Sequence, residues 1–495
     1  MNILVVDVGT SSMRGILFDR TGTKRETVQM NYHPTYKERG VVEQTASELE
    51  AALCRVISDI VKLATARADK IDMIALTSQR SSVTAVDKEG TPLLPFIMWQ
   101  DVRNQAICER LREADKEIFE RSGTYVNTVF AGGKMAWILE QQISLRDKIF
   151  KFTTISEYLI HVMTGNFCTD HTYGSRTNLM NLRERKWDPV LLQLFGIKEE
   201  QLCHLIPPGS MAGAVTKEFA ARTGLTQGTP VISAGGDQQC AALGMGVYGE
   251  GKISIVTGTG AFLMTVCDQM PENLKGDVIC NASALQGQYT LEASVLTCCS
   301  AFDWFKRNFY GDTVGFDDIG RILQEQYQKD TSCLVLPYFQ GRAAPEWDET
   351  IRASFHNLSL ATTKDELLGA LLYGIFMEIR NSIDSMENYV LVKEGFISGG
   401  LTQSRIINQM QADVYGISLY HMQDCESTAN GAAISALVGQ KIIPDAGEAF
   451  QKLCGGMEME RIAPDEVKHH FHYKALQEMR RLYKEEKSWK KRDGI

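Results

Sequence analysis

What this sequence lacks narrows it before any motif is read. It has no CxxC pair, and its twelve cysteines follow no regular spacing. Even the adjacent Cys298 and Cys299 make poor geometry for a zinc site or a mutual disulfide, so the thiols read as small apolar residues of a reduced compartment. It has no apolar run near the ~20 residues of a membrane helix. The first apolar run, Ile3 to Val6, stops at Asp7, far short of a signal segment. The expected location is cytoplasmic. Positive charge is also short: 52 Lys and Arg against 61 Asp and Glu give a net charge of −9. That argues against the basic footprint of a nucleic-acid binder but leaves room for a local basic cleft for an anionic nucleotide.

The better-known nucleotide signatures are missing too. "AGGKM" fails the GxxxxGK[ST] pattern, and there is no HRD or DFG set. A GxGxxG at Gly244, Gly246 and Gly249 follows the helix-like "DQQCAAL" and not a strand, so it is not read as a dinucleotide site.

What is present is a repeated hairpin. "ILVVD", the turn "VGTSS" and the returning "MRGILFD" head the chain; "KISIVTGTGAFLMTVCD" repeats the pattern 250 residues later. A helical pattern over 46–68 and a buried strand "IDMIALTSQ" follow the first copy. At 495 residues the chain needs at least two cores. The repeat predicts a tandem α/β protein with pseudo-two-fold symmetry, halves 1–240 and 241–495, and a boundary near the Gly-rich "GMGVYGEGK". The C-terminal "YKALQEMRRLYKEEKSWKKRDGI" predicts a solvated helix.

Turns rich in Gly, Ser and Thr hold phosphate with backbone N–H groups and short hydroxyls. Gly9, Thr10, Ser11 and Ser12 supply one such turn; Gly258, Thr259 and Gly260 supply the other. Asp7 stands where a carboxylate holds Mg²⁺ through water, and Arg14 within reach of a phosphate. In "SAGGDQQCAALG", Asp237 is placed at an N-cap-like position, either as a plain capping carboxylate or as a general base beside the cleft.

The segments "DVGTSSMR", "SQR", "MWQD", "FAGGKMAWIL", "TDHTYGSRTNLMNL", "GGDQQCAALG", "VTGTGAF", "APEWD" and "SGGLTQSRIINQMQADVYG", in this order, resemble the FGGY carbohydrate kinases, and most of all their glycerol kinase branch. The resemblance implies two actin-like (ribonuclease H-like) domains with ATP and Mg²⁺ in the cleft between them. It implies Asp237 as catalytic base and, with Asp7, as metal candidate. It places Thr10, Ser11, Ser12, Arg14 and Thr259 on the phosphates, and Gly399 and Gly400 against the adenine nucleotide. Arg80, Trp99, Gln238 and Phe262 would line the acceptor pocket.

The departures are specific. Ser81 stands where glycerol kinases have Glu, and Val129 where they have Tyr, so two polar partners of a small triol are missing. This predicts a longer acceptor, a C4–C6 ketose, polyol or related carbohydrate. Glycerol remains the alternative, and a non-metabolic actin-like ATPase or a catalytically dead sugar-binding regulator the further ones. The "MHG" motif of xylulokinases is absent. Cys299, Asp303 and Ser404 replace residues that glycerol kinases place near the adenosine. The expected partner is a small molecule, with no nucleic acid and no membrane; a homodimer is left open. "HHFH" at His469–His472 reads as the start of a surface helix and not as a metal site.

Overall fold

The computed structural model describes residues 1–493 except 312–313, 330, 344–345 and 424–425; of 490–493 only the backbone is described. The first two residues of "APEWD" and the last two of the chain therefore lie outside the described residues.

Both copies of the hairpin fold as read. Strand Ile3–Val8 pairs antiparallel with Ser12–Phe18, and strand Gly251–Thr257 pairs antiparallel with Ala261–Cys267. Each hairpin then nucleates a sheet in the same order. In the first, Lys24–Asn31 flanks one side and the parallel strands Met73–Ser78 and Pro230–Gly236 the other, closed by antiparallel Ser210–Ala214. In the second, Tyr289–Val295 flanks one side and the parallel strands Val392–Gly399 and Ser418–Met422 the other, closed by antiparallel Met459–Ile462. Ile279–Ala282 extends the second sheet by one strand. Six strands thus match in order and direction, which is the internal repeat in three dimensions.

The central strands are buried along their whole length, as a sheet covered on both faces requires. Helix Ala46–Ala66 covers one face of the first sheet through Leu49, Leu53, Val56, Ile57 and Ile60. Its counterpart in the second half, Lys364–Glu387, is almost wholly buried.

The opposite face of the first sheet is covered by the second half of the chain. Ile3, Val5, Ile16 and Ile232 pack with Ala429, Ala433, Leu437 and Phe450 of helices Ser427–Gly439 and Ala446–Cys454. The two helices that follow equivalent strands, Asp237–Gly244 and Ser427–Gly439, cross at the pseudo-dyad. Gly244 and Gly431 permit that crossing. A Cβ on Gly244 would strike the carbonyl of Ser427, and one on Gly431 the carbonyl of Cys240. The first glycine of the GxGxxG pattern is thus a packing glycine. Helix Asp237–Gly244 also runs across residues 240–241, where the two halves were expected to divide.

Two expectations about the C-terminus need correction. The helix Glu466–Asp493 forms, but Leu476, Met479 and Tyr483 are buried, because one apolar stripe docks on the second core. His472 is not on a surface: it stacks on Tyr373 at 4.2 Å, and burial lowers its pKa to about 4. Asp465 caps this helix, accepting from the N–H groups of Val467 and Lys468.

Candidate active site

Asp237 is the first residue of its helix, and Gly236 occupies the N-cap position that the sequence suggested for Asp237. The Gly-Gly turn before it is held from below. Gly235 has φ +114, a conformation that a side chain would strain. Tyr173 OH donates to the Gly235 carbonyl at 2.9 Å, and Thr172 Oγ1 accepts from Gly236 N at 2.8 Å. Asp170 in turn accepts from Thr172 Oγ1 and Ser233 Oγ, both at 2.5 Å. The segment "TDHTYGS" therefore builds the support that aims Asp237.

The Asp237 carboxylate accepts from Gln238 N at 2.8 Å and lies 3.7 Å from Arg80 Nε. Burial raises its pKa to about 6; Arg80 opposes that rise and the Asp7 charge adds to it. Asp237 and Asp7 are thus close enough to feel each other. Asp7, next to last in the first strand, is nearly buried and paired with Arg14 Nη2 at 2.6 Å. Burial pushes its carboxyl up despite that pairing. Arg14 also bonds Glu426 Oε2 at 2.7 Å, on the residue before helix Ser427–Gly439 of the other half. Arg14 is therefore shared between two carboxylates, one from each half.

The first phosphate turn is tight and tied to the acceptor wall. Gly9 N donates to Ser12 O at 2.9 Å, and Tyr32 OH braces both carbonyls, at 2.7 Å and 3.0 Å. Thr10 Oγ1 accepts from Trp99 Nε1 at 3.1 Å, while Ser11 is exposed and Ser12 half-buried. In the second turn, Gly258 N donates to Gly260 O at 2.8 Å, and the exposed Thr259 presents its carbonyl to Cys298 N at 2.8 Å. Cys299 N donates to Gly258 O at 2.9 Å, so helix Cys299–Phe309 starts on this turn, with the exposed Asp303 one turn on. Gly399 pairs with Thr257 across the strands at φ +104, where a Cβ would strike the Thr257 carbonyl. A Cβ on Gly400 would come 3.3 Å from Cys299 Sγ, and one on Gly320 of helix Phe316–Gln326 would come 3.9 Å from Ser404 Oγ. Thr259, Cys299, Asp303, Gly399, Gly400 and Ser404 thus border one region of the second half.

On the acceptor side, Ser81 is buried at φ +70, and its Oγ donates to the Arg176 carbonyl at 3.5 Å. Val129 is half-buried beside Phe130, whose ring lies 4.5 Å under the Arg176 guanidinium. Lys134 is fully buried; its Nζ donates to the carbonyls of Thr128 and, at 3.4 Å, Trp99. Burial lowers its pKa to about 7. Phe262 is 52% exposed and shares a sheet face with Glu292, two pairs along the ladder.

Sequence reasoning assigned no role to Glu292, Arg176, Gln239 or Lys134. Arg80 Nη1 donates to Gln239 Oε1 at 3.1 Å and to Glu292 Oε1 at 2.9 Å, and Arg176 Nη1 donates to Glu292 Oε2 at 3.4 Å. Arg176, Lys134 and Gln239 lay inside the segments that carry the family resemblance, which was the one available signal. Glu292 is a single carboxylate in an ordinary strand and gave none.

Comparison with known proteins follows these features. Models of the FGGY family of carbohydrate kinases match residues 2–244 with the N-terminal domain and 253–439 with the C-terminal domain. A glycerol kinase of Thermococcus kodakarensis is 31% identical over 444 residues, 88% of this chain and 87% of that one. The Bacillus subtilis glycerol kinase is 29% identical over 463 residues, covering 90% and 92%. Among solved structures, a Brucella ovis protein described as a xyloylose kinase superposes with TM-score 0.92 at 23% identity, covering 99% and 100%. Plasmodium falciparum glycerol kinase with ADP superposes with TM-score 0.88 at 24% identity, covering 96% and 97%. These likenesses confirm the actin-like, ribonuclease H-like fold of two α/β domains.

Proposed function

This chain belongs to the FGGY family of carbohydrate kinases, and on that premise we propose that it transfers phosphate from ATP to a hydroxyl of an uncharged C4–C6 ketose or polyol, with Asp237 as general base. That it is an ATP-dependent carbohydrate kinase follows from the family; the acceptor length, the base and the binding residues are this reading's own. The observation that carries it is the placement of Asp237: a carboxylate at a helix N-terminus, half-sheltered, facing Arg80 and sensing Asp7.

In this reading the acceptor hydroxyl lies against Asp237 and Arg80, walled by Trp99, Ser81, Val129, Gln238 and Phe262. Its proton passes to Asp237 as its oxygen bonds the γ-phosphorus in line and the bond from phosphorus to the ADP oxygen breaks. Thr10, Ser11, Ser12, Arg14 and Thr259 hold the phosphates. Cys299, Asp303, Gly399, Gly400 and Ser404 border the adenosine. Two neighbouring carboxylates, Asp7 and Asp237, suit Mg²⁺, which takes one or two carboxylates, waters and substrate phosphates. When bound, the ion neutralises charge on the β- and γ-phosphates.

The missing polar side chains at 81 and 129 favour the longer acceptor over glycerol, because a buried hydroxyl without a partner costs ~1–3 kcal/mol. An ADP-release screen over C3–C6 polyols, ketoses and sugar acids tests the reading. The expected best acceptor is an uncharged C4–C6 compound. Glycerol as the best acceptor supports the glycerol kinase alternative, and no turnover at all overturns the reading.

A further inference from the structure

Glu292 and Arg176 point to a property of the acceptor pocket beyond its membership of a kinase. Glu292 comes from the second half, on strand Tyr289–Val295, and its carboxylate meets groups of both halves. It accepts from Arg80 at 2.9 Å, Arg176 at 3.4 Å and Asn281 at 3.0 Å. The two guanidiniums and Glu292 are each only 10–12% exposed. Burial alone would raise the Glu292 pKa, but the two arginines outweigh it and hold the carboxyl below its usual value, so it is ionised.

The charges balance. Arg80 and Arg176 bring two positive charges; Glu292 and Asp237 bring two negative ones. Asp7, the next acid, lies in a separate cluster with Glu426 and the one Arg14 they share, which keeps one net negative charge of its own. Arg176 Nε is a buried N–H with no hydrogen-bond partner among the described residues. A buried donor left unpaired is costly, and an acceptor oxygen would satisfy it. The Phe130 ring at 4.5 Å fixes the plane of this guanidinium, and Glu292 fixes its far edge.

We propose that Arg176 is a second acceptor-binding arginine and that Glu292 is the counter-charge that keeps the pocket neutral, so that it takes an uncharged polyol or ketose and disfavours the matching sugar acid. This rests on the reading that places the acceptor beside Asp237 and Arg80. Glu292 itself is a positioning and specificity residue: it acts through the two arginines.

The test is calorimetric titration of D-glucitol and D-gluconate into the full chain. The two probes share a six-carbon skeleton and differ in a CH₂OH against a carboxylate. Wild type is expected to bind D-glucitol more tightly. Glu292→Gln leaves one net positive charge and is expected to tighten D-gluconate by about tenfold or more relative to D-glucitol. Arg176→Gln leaves one net negative charge and a lost donor; it is expected to weaken D-gluconate more than D-glucitol, and it decides the matter if Glu292→Gln does not fold. A wild-type preference for D-gluconate, an unmoved ratio in the folded variants, or no D-gluconate binding by Glu292→Gln overturns the proposal. If Asp237→Asn abolishes turnover while these ratios stay fixed, this inference alone fails. If turnover survives in Asp237→Asn, the acceptor-site reading fails as well.

Discussion

The indole N–H of Trp99 donates to the hydroxyl of Thr10 over 3.1 Å, joining the acceptor wall to the first phosphate turn. On the proposed reading, the acceptor and the phosphates therefore contact side chains that touch each other. A double-mutant cycle with Trp99→Phe and Thr10→Val should give a coupling of about 0.5–1.5 kcal/mol in kcat/KM, the usual worth of such a bond. Each single variant should raise the KM for both substrates. Strict additivity would show that the bond carries no energy during turnover.

Lys134 makes a prediction about pH. Its ammonium pins the carbonyls of Trp99 and Thr128 from a fully buried position, and burial lowers its pKa to about 7 from an ordinary 10.5. Between those values the unfolded chain binds a proton that the folded chain lacks. Stability should therefore rise with pH between about 7 and 10.5, by at most about 1.4 kcal/mol per unit from this group. Urea unfolding at pH 7 to 9.5 should show that slope in wild type and lose it in Lys134→Met. The same slope in both would mean that Lys134 stays charged when buried.

The acceptor preference is set in this account by what positions 81 and 129 lack. Ser81→Glu with Val129→Tyr supplies two polar partners beside Arg80 and Arg176. The ratio of kcat/KM for glycerol to that for the best longer acceptor should rise about tenfold or more, the return on one or two buried hydrogen bonds. An unchanged ratio would refute the assignment of these two side chains to the pocket.

The helix crossing at the pseudo-dyad gives a stability test. Gly431→Ala drives a methyl into the Cys240 carbonyl and should cost about 1–3 kcal/mol in unfolding free energy. Gly249→Ala has open space around it and should change little by comparison. Equal effects would show that the crossing tolerates a wider separation.

Particular residues show why the sequence disclosed some of this and hid the rest. The paired hairpins were legible because each is local: a β-branched strand, a Gly-Thr turn and a returning strand lie within 20 residues. Their placement singled out both Gly-Thr turns and Asp7 as candidates. Asp237 was legible because a strand, a Gly-Gly turn and a helix surround it in order, although Gly236 holds the cap. Long-range packing was hidden. Nothing local says that Phe450 completes the core under Ile3, or that His472 turns inward onto Tyr373. Glu292 was hidden for the same reason: its charged partners are 116 and 212 residues away, so only the folded chain brings Arg176 and Arg80 to it. The side chains at 299, 303 and 404 were found by their departure from the family pattern, and folding brings them to the strand ends around Gly399 and Gly400.

Asp237→Asn decides the central claim most directly. The variant keeps the shape of the side chain and its bond from Gln238 N but cannot accept the hydroxyl proton. With ATP, Mg²⁺ and the best acceptor from the screen at saturation, kcat should fall by ~10²–10⁴-fold, the usual worth of a general base, while the melting temperature stays near that of wild type. A fall of less than about tenfold, below the range for such a base, would contradict the assignment of Asp237 as the group that takes the proton.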